Sequence, residues 1–413
     1  MSPEEQNAIL TDVSPGTPMH EAFRRYWLPA LLSRDLPEPD SDPKRVTLLD
    51  RSYVAFRDSE GRVGLLDEHC CHRSASLCLG RVEGGGIRCI YHGWKYDVDG
   101  VVMDMPNVSD ERIKARIRQG AYPVREVGGI IWVYLGPKEL EPPLPHLAMF
   151  DVPEEHRFCE IVVSSVNYTQ MVEGVLDSSH VGVLHHDVAS PEIRADPSPD
   201  LEVEDTDFGF RYCAMRAAVG ADGSPEIYGR VSTFAFPSSV YVNHTGILLI
   251  AVPITTSRAQ FVMIFWDEEK PIGVGQDREN LRAYFGIDDE GMTNWGLHRD
   301  THDLPTSPNR ANNYKQNRER MRSGESFSGM HQFIPEDFGV AQSMGAVLDR
   351  TKEHLVPADR AIAKYRRLMI ENAQAIANGA EPAGLNPARP PRAMNGMMKS
   401  REEWKSWFAN PDS

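Results

Sequence analysis

The sequence is poor in cysteine, in long apolar runs and in positive charge. Its 413 residues include only six cysteines, too few for a disulfide framework in a chain of this length. No uncharged apolar run approaches the roughly 18 residues of a membrane span. The first twenty residues also lack the basic start and apolar core of a signal peptide. We therefore expect a cytoplasmic protein without a membrane partner.

Negative charge dominates, with 44 lysines and arginines against 60 aspartates and glutamates and a formal net charge of -16. A field of this sign repels phosphate backbones, which argues against a nucleic-acid partner. The glycines of residues 84–86 do not form the G-x-G-x-x-G fingerprint that binds a flavin or a nicotinamide. Reducing equivalents from such a cofactor would have to reach this chain through a separate protein.

The sequence pattern predicts three regions. Residues 1–44 contain the amphipathic stretch Met19–Leu32, which predicts a helix, and we expect this region to pack on the C-terminal domain. Residues 45–150 carry short β-type runs separated by Gly and Asp turns, which predicts an all-β module that ends at the proline-rich stretch 137–145. Residues 151–413 mix both patterns and predict an α+β domain with an antiparallel sheet flanked by helices.

Cysteine and histidine alternate in one short stretch. Cys70 and His72 form a C-x-H arm, Cys89 and His92 form a C-x2-H arm, and sixteen residues separate the arms. One thiolate and one imidazole on each arm differ from a zinc finger, in which a cysteine pair precedes a histidine pair. The arrangement matches a Rieske [2Fe–2S] centre, in which two cysteines hold one iron and two histidines hold the other. We assign Cys70 and Cys89 to one iron and His72 and His92 to the other, with a structural zinc site as the alternative.

Cys71 and Cys78 compete for the thiolate positions of this centre. Neither has a histidine at the required offset on its own arm, so we expect them to be ordinary thiols. Trp94, two residues after the last histidine, is suitable for covering the cluster from water.

A second group of metal-ligating residues lies in the stretch Asn167–His186. If this stretch is a helix, Glu173, Asp177 and His180 are spaced at i, i+4 and i+7 and share one face.

His185 follows His180 by five residues, which an unbroken helix would rotate away from a shared metal. Chelation by both requires a helix end or a bulge, and Gly182 makes either easier. Two histidines and one carboxylate would form the facial triad of non-haem Fe(II) oxygenases. His186 is the alternative second histidine.

The segment from Cys70 to Trp94, C-x-H-R followed by C-x-Y-H-G-W, resembles the cluster motif of Rieske non-haem iron aromatic-ring-hydroxylating oxygenases. The likeness is to the alpha subunits of the phthalate dioxygenase-like branch, and it extends from Gly16 to about residue 370. Cys71 replaces the proline common in this motif, and Ser74 stands where glycine is frequent. Neither departure removes a ligand, and the resemblance implies a catalytic domain of the helix-grip type.

The resemblance also implies a ligand set for a mononuclear Fe(II). The family's D-x2-H-x4-H motif matches His180 and His185, and its late aspartate, which precedes a D-R-x2-E-x-L signature, matches Asp337. The neighbouring Glu336 is the rival third ligand, because charge alone does not separate the two carboxylates.

In the family, the aspartate three residues before the first ligand histidine also reaches a cluster histidine of the adjacent subunit. Asp177 holds that position here, and it would reach His92 or, as a second choice, His72. A carboxylate in this place fixes the imidazole and connects the two centres. The resemblance therefore implies a homotrimer in which each mononuclear iron receives electrons from a neighbour's cluster.

As an activity, the resemblance implies the terminal oxygenase of a multicomponent system in aromatic hydrocarbon catabolism. It would use O2, with electrons from NAD(P)H through a separate reductase or ferredoxin, to hydroxylate an aromatic carboxylate similar to phthalate or benzoate. Oxidative O- or N-demethylation with the same machinery is the first alternative. A Rieske electron carrier without catalysis is a more remote one.

Substrate contacts are expected on the central sheet of the C-terminal domain. The apolar candidates are Phe234, Phe236, Val240, Val242, Ile247 and Leu249. The candidates for binding a carboxylate are Arg211, Arg216, Arg230 and Arg258.

Overall fold

The computed structural model describes residues 1–242, 246–297, 307–385 and 387–409. Its contacts divide the chain into two units, which we call the β unit (Val13–Pro145) and the α+β unit (Met1–Asp12 with His146–Ser413). Residues 13–44 therefore group with the β unit, whereas the sequence led us to expect this region on the C-terminal domain. The contact boundary after Pro145 lies at the end of the proline-rich stretch.

In chain order the helices are α1 (Pro3–Thr11), α2 (Pro18–Arg24), α3 (Glu111–Lys114), α4 (Tyr168–Leu176), α5 (Pro191–Ala195), α6 (Gly275–Phe285), α7 (Arg318–Ser323), α8 (Phe333–Ser343), α9 (Arg360–Ala377) and α10 (Glu403–Ser406). The strands of the β unit are β1 (Trp27–Leu32), β2 (Lys44–Leu48), β3 (Arg51–Arg57), β4 (Val63–Asp67), β5 (Arg81–Glu83), β6 (Gly86–Arg88), β7 (Lys95–Tyr96), β8 (Val102–Asp104), β9 (Ala121–Tyr122), β10 (Val124–Val127) and β11 (Ile130–Tyr134). Those of the α+β unit are β12 (Arg157–Ser164), β13 (Asp200–Thr206), β14 (Gly209–Val219), β15 (Pro225–Ala235), β16 (Ser239–Val242), β17 (Ile247–Thr255), β18 (Arg258–Trp266) and β19 (Met394–Met398).

The helix predicted for Met19–Leu32 is wrong in its second half. Helix α2 is capped by Thr17 and ends at Arg24, after which Trp27–Leu32 form strand β1 against β11. Every residue of β1 is buried, and the pairing register shifts next to Pro29, whose ring nitrogen has no proton to donate. An apolar run that is buried on all sides has no polar face, so its periodicity does not separate helix from strand. This pairing explains why residues 13–44 belong to the β unit.

The β unit consists of three antiparallel sheets, ordered β1-β11-β10, β2-β3-β4-β9 and β5-β6-β7-β8. Its core includes Phe56, Leu66 and Ile87, and the side chains of Cys70 and Cys89 belong to the same buried cluster. The cysteines are thus fixed by the core of the unit, and the residues that follow them lie in turns.

The α+β unit is built on one antiparallel sheet, ordered β12-β18-β17-β16-β15-β14-β13, with β19 paired to β15. Helix α4 packs across β16 and β17, and the Tyr212 hydroxyl donates to the carbonyl of Leu176 at 2.6 Å. The predicted fold class, an all-β module followed by an α+β domain with an antiparallel sheet, is confirmed. Strand β19 was not predicted, because Met394–Met398 contains Asn and Gly and shows no alternation.

No helix within the described ranges is long and apolar enough to cross a membrane.

Candidate metal centres

Two turns of the same construction carry the cysteines and histidines of the β unit. In the first, the amide of Ser74 donates to the carbonyl of Cys70 at 2.9 Å; in the second, the amide of Gly93 donates to the carbonyl of Cys89 at 3.0 Å. Both turns need a left-handed residue at their end, and φ is +57° at Ser74 and +78° at Gly93. Serine at the first of these positions therefore adopts a conformation that glycine takes without steric cost.

The four predicted cluster residues converge with their cysteines inside and their histidines outside. Cys70 and Cys89 are each 2% exposed, whereas His72 and His92 are only partly buried, with their ring centroids 4.5 Å apart. Trp94 stacks on His72 at 4.3 Å and anchors its own ring by donating to Asn107 at 2.7 Å. The imidazole edge of the site therefore lies toward the surface, where an electron can enter or leave.

The spacing of these groups disfavours the zinc alternative. With bonds of about 2.0–2.3 Å, the four ligands of a tetrahedral zinc lie about 3.5 Å from one another. Among the described residues, the only three metal-ligating side chains with atoms all within 4.8 Å of one another are His180, His185 and Asp337. No three of the cluster residues meet that criterion, so they suit a ligand set divided between two irons.

Two side chains that the sequence reasoning missed support the first turn. The hydroxyl of Tyr96 lies 3.0 Å from Sγ of Cys70 and 3.4 Å from Sγ of Cys71. The buried amide of Gln119 accepts from the amide of Cys71 at 2.8 Å and donates to the carbonyls of Asp67 and His69, both at 2.9 Å. Tyr96 follows Trp94 by two residues, so the sequence motif could have drawn attention to it. Gln119 is 48 residues from Cys71, and no local pattern connects the two.

In the α+β unit, the helix predicted for Asn167–His186 ends early. Helix α4 is capped by the side chain of Asn167 and stops at Leu176, because Asp177 takes an extended conformation and its Oδ1 accepts the amide of Ser179 at 2.7 Å. A 3-10 turn then spans His180–Gly182. A Cβ on Gly182 would lie 2.6 Å from the carbonyl oxygen of Ile193, so the turn requires glycine.

This early helix end brings His180 and His185 together. Their Nε2 atoms lie 3.2 Å apart, and Oδ1 of Asp337 on α8 lies 3.6 Å from Nε2 of His180 and 3.0 Å from Nε2 of His185. Ligands at right angles on a metal, with bonds of about 2.1 Å, lie about 3.0 Å apart. The three atoms therefore fit one face of a divalent metal ion, as a facial triad requires.

The rival ligands take other positions. Oε2 of Glu336 lies 2.6 Å from Nδ1 of His185, on the side of the ring away from Asp337. His186 is exposed and its ring lies 5.7 Å from that of Phe327. Oδ2 of Asp177 lies 3.6 Å from Nδ1 of His180.

Acidic side chains dominate the electrostatics of the triad. Burial by itself would lower the pKa of His185, but Asp337 and Glu336 outweigh it and raise this pKa to about 9. Burial works to raise the pKa of Asp337, and the two imidazoles overcome this and lower it. Three carboxylates around two imidazoles favour positive charge at this point, which suits a divalent cation.

Ion pairs connect helix α4 to the segment Asp349–Leu355 and to helix α9. Arg350 donates to Oε1 of Glu173 at 3.0 Å, and Arg366 of α9 bonds both Glu173 (2.8 and 2.9 Å) and Glu353. Glu173 is therefore an ion-pair partner and not a metal ligand, although it shares the spacing of Asp177 and His180.

Of the four candidate arginines, two lie on one face of the sheet and a third lies on the other face. Arg216 and Arg230 lie on the face of β14 and β15 that also carries Tyr212 and therefore faces α4. Arg211 lies on the opposite face, bonded to Glu204 at 2.6 Å and placed over the ring of Phe408.

Arg258 begins β18 and is half-buried. The buried apolar candidates are Phe234, Val240, Val242, Ile247 and Leu249, while Phe236 is half-buried. The pairing register places Phe234, Val240 and Leu249 on the same face as Arg230.

The β unit carries a paired Cys/His site, and the α+β unit brings two histidines and a carboxylate to one point. This combination is typical of an iron-dependent oxygenase with two metal centres. The comparisons with known proteins agree. Residues 26–122 match the family model of the Rieske [2Fe-2S] domain, and residues 133–412 match the family described as "LigXa C-terminal domain like".

Several relatives and solved structures match most of the chain. It is 32% identical to the phthalate 4,5-dioxygenase oxygenase subunit of Pseudomonas putida, over 99% of this chain and 95% of that protein. It is 28% identical to the 5,5'-dehydrodivanillate O-demethylase oxygenase subunit of a Sphingobium species, over 92% of this chain and 82% of that protein. The crystal structure of dicamba monooxygenase bound to 3,6-dichlorosalicylic acid shares the fold, with a TM-score of 0.60 at 18% identity over 86% of this chain and 99% of that one.

The chain belongs to the Rieske non-haem iron oxygenases and is an oxygenase (alpha) subunit. The family uses a Rieske [2Fe–2S] cluster and a mononuclear iron, with electrons from a separate reductase.

Proposed function

We propose that this oxygenase subunit hydroxylates an aromatic carboxylate. The observation that carries the proposal is the pair of arginines, Arg216 and Arg230, on the sheet face that packs against the triad-bearing helix α4. We further propose Cys70, His72, Cys89 and His92 as ligands of the cluster. His180, His185 and Asp337 are proposed as ligands of the mononuclear iron.

The arginine pair is short of negative charge. Arg216 is 1% exposed and donates to the carbonyl of Asp196 at 2.9 Å and to the carbonyl and hydroxyl of Ser178 at 2.7 and 3.2 Å, but its Nη1 has no hydrogen-bond partner among the described residues. The guanidinium of Arg230 contacts the Ser178 hydroxyl at 3.5 Å. No carboxylate in the described ranges lies within 4.0 Å of either guanidinium.

The lack of a direct ion-pair partner is reflected in the pKa of Arg216. Burial and the neighbouring Arg230 lower the pKa of Arg216 to about 10. Asp196 opposes this shift without forming an ion pair with Arg216. A buried cation that lacks a direct ion pair is costly, and the carboxylate of a bound molecule would offset that cost. Because Ser178 is adjacent to Asp177 and two residues from His180, such a molecule would be held close to the proposed iron.

The rest of this sheet face is apolar. Phe234, Val240 and Leu249 continue it beyond the arginines as buried side chains. The arginines would orient the carboxylate end, the apolar side chains would exclude water around the ring, and His180, His185 and Asp337 would hold the iron. When bound, the iron supplies the activation of O2.

The substrate proposal is tested by binding benzoate and the uncharged benzamide to the full-length protein. Arg230→Gln is expected to weaken benzoate binding roughly 10- to 100-fold, since a hydrogen bond to a charged group contributes about 1.5–3 kcal/mol. Benzamide binding should change little. Arg211→Gln is the matched control, because Arg211 lies on the other face of the same sheet. Equal benzoate affinity in Arg230→Gln and the parent protein would contradict the proposal.

Oxidative demethylation is the second candidate, and the relative named as an O-demethylase supports it. Methoxybenzoates distinguish the two reactions, because ring hydroxylation adds one or two oxygens whereas demethylation removes the mass of one methylene. Both reactions are compatible with the arginine pair, which binds the carboxylate and not the reacting carbon.

We also propose that the chain works as a homotrimer, with Asp177 reaching His92, or alternatively His72, of an adjacent subunit. A cavity of about 350 Å³ reaches Asp177, His180 and Asp337, and Met344 and Leu355 of its lining are about half exposed.

The β unit also presents apolar surface, with Leu79, Ile90 and Tyr91 more than half exposed and the ring of Tyr91 3.8 Å from that of His92. These two apolar surfaces support a contact between neighbouring subunits in which electrons cross. Sedimentation equilibrium should give a mass three times that of one chain, and Tyr91→Glu should shift it toward monomer. The electron donor is proposed to be a reductase or ferredoxin supplied by NAD(P)H.

A further inference from the structure

Glu336 contacts Nδ1 of His185, whereas Asp337 contacts Nε2 of the same ring. Oε2 of Glu336 lies 2.6 Å from Nδ1 of His185, its side chain is 5% exposed, and its Oε1 accepts the hydroxyl of Ser328. Ser328 is itself fixed, because its Oγ accepts the amide of Met330 at 3.0 Å. Both carboxylate oxygens of Glu336 are therefore occupied by specific donors.

Consecutive residues of α8 thus contact opposite nitrogens of one imidazole. Oδ1 of Asp337 lies 3.0 Å from Nε2 of His185, while Glu336 is at Nδ1. An ionised carboxylate only accepts hydrogen bonds, so Glu336 keeps a proton on Nδ1, and a metal would take the place of any proton on Nε2. This tautomer is the one that a metal beside Asp337 and His180 needs.

His185 is the partner that balances the charge of Glu336. In the part of the chain that the structure describes, its ion-pair contact is with His185 and with no lysine or arginine. A buried carboxylate without a cation is costly to maintain unless positive charge is close. A divalent ion on His185 would provide that charge through the imidazole.

We propose that Glu336, held by Ser328, is a positioning residue that fixes the ring and tautomer of His185 and raises the affinity of the triad for its metal. The inference rests on the metal site proposed above. It gives Glu336 a role distinct from that of the ligand Asp337.

The test is equilibrium dialysis of the full-length protein, with its cluster intact and its mononuclear iron removed, against Co(II) at graded free concentrations. Glu336→Gln should weaken Co(II) binding roughly 10-fold or more, since removing such a partner of a ligating histidine typically costs 10- to 100-fold. Ser328→Ala keeps the charge and should give a loss below the roughly 10-fold that removal of the partner itself costs. Glu68→Gln is the matched control, because Glu68 is also buried and accepts a serine hydroxyl, from Ser76 at 2.6 Å, but touches no triad residue.

The outcomes separate the inference from the proposed site. If the parent protein binds Co(II) and His185→Ala does not, the site stands; equal affinity of Glu336→Gln and the parent would then overturn the inference alone. If the parent protein binds no Co(II), both the site and the inference fail. Where Glu336→Gln does not fold, Ser328→Ala decides by the same comparison, and an unchanged affinity in that variant overturns the inference.

A second readout distinguishes positioning from general stability. In the Co(II)-loaded protein, the Nδ1 proton of His185 should give a shifted NMR signal that exchanges slowly with water. Ser328→Ala should accelerate its exchange while the proton of His180 is unaffected. Equal exchange rates in the variant and the parent would contradict the role of Ser328.

Discussion

The two proposed metal centres differ in how far apart their residues lie in the chain. The cluster residues lie within 70–92, on two turns that are each closed by their own backbone hydrogen bonds. The triad combines a turn after α4 with Asp337, which is about 150 residues later and reaches the site only because α8 packs against α4. A local motif can be identified from spacing, whereas a site assembled by tertiary packing depends on the whole α+β unit.

Their surroundings differ in charge as well. The cluster residues are two buried thiols and two partly exposed imidazoles, with a tyrosine hydroxyl at one sulfur. The triad has carboxylates at Nδ1 of both histidines in addition to Asp337. The first environment leaves an imidazole edge open for electron exchange, and the second concentrates negative charge where a divalent ion and a substrate would meet.

The largest effect is expected from Asp337→Ala, which should remove the mononuclear iron and leave the cluster in place. Removing one of three ligands should release the mononuclear iron and abolish product formation. The cluster should keep its two irons and its spectrum, because its residues lie in the other contact unit. Iron analysis and the visible spectrum check this, and loss of the cluster in this variant would show that the centres are not independent.

Asp177→Asn tests the connection between the centres. Both metals should be retained, since the carboxylate is 3.6 Å from Nδ1 of His180 and ligates neither centre, yet turnover should fall roughly 100-fold. The measurement is product formation after the cluster has been reduced. Unchanged turnover with normal cluster reduction would contradict the role of Asp177 as the bridge between subunits.

Glu173→Gln should destabilise the α+β unit alone. It leaves Arg350 and Arg366 without their shared buried carboxylate, and breaking such a buried pair costs about 3–5 kcal/mol. Denaturant unfolding, followed by the fluorescence of each unit's tryptophans and by cluster absorbance, should show the loss in one transition only. Asp200→Asn, which removes an exposed pair with Arg401, is the control and should cost less than about 1 kcal/mol.

The smallest effect is expected from Tyr96→Phe. A hydrogen bond to a ligating sulfur stabilises the reduced, more negative cluster, so its loss should lower the reduction potential. A net contribution of about 1 kcal/mol corresponds to roughly 40 mV for one electron. Spectroelectrochemistry checks the shift, and a potential equal to that of the parent protein would indicate that the hydroxyl does not donate to Cys70.

Sequence reasoning succeeded where chemistry is local and failed where it depends on packing. The all-β module and the α+β domain could be predicted, because turn residues and alternation mark strands independently of the rest of the chain. The helix pattern over Asn167–His186, with an end or a bulge wherever both histidines bind one metal, left the position of that end open. The structure places it at Leu176, since the side chain of Asp177 competes with the helix for a backbone amide. Charge alone also left Glu336 and Asp337 equivalent, and only the structure shows that they contact different nitrogens of His185.

The arginines illustrate the same limit. Arg211 and Arg216 are five residues apart on β14, so they point to opposite faces of the sheet. Neither their spacing nor their charge shows which face meets α4. That information comes from Tyr212 and its hydrogen bond to Leu176.

The most direct test of the account is the iron and acid-labile sulfide content of the isolated protein, measured alongside its EPR spectrum before and after reduction. We expect two irons with two sulfides in a cluster that has histidine ligands, together with one further iron that Asp337→Ala removes. Two irons in total, or zinc in place of the cluster, would contradict the claim that this chain combines an electron-transfer centre with a separate oxygen-activating one.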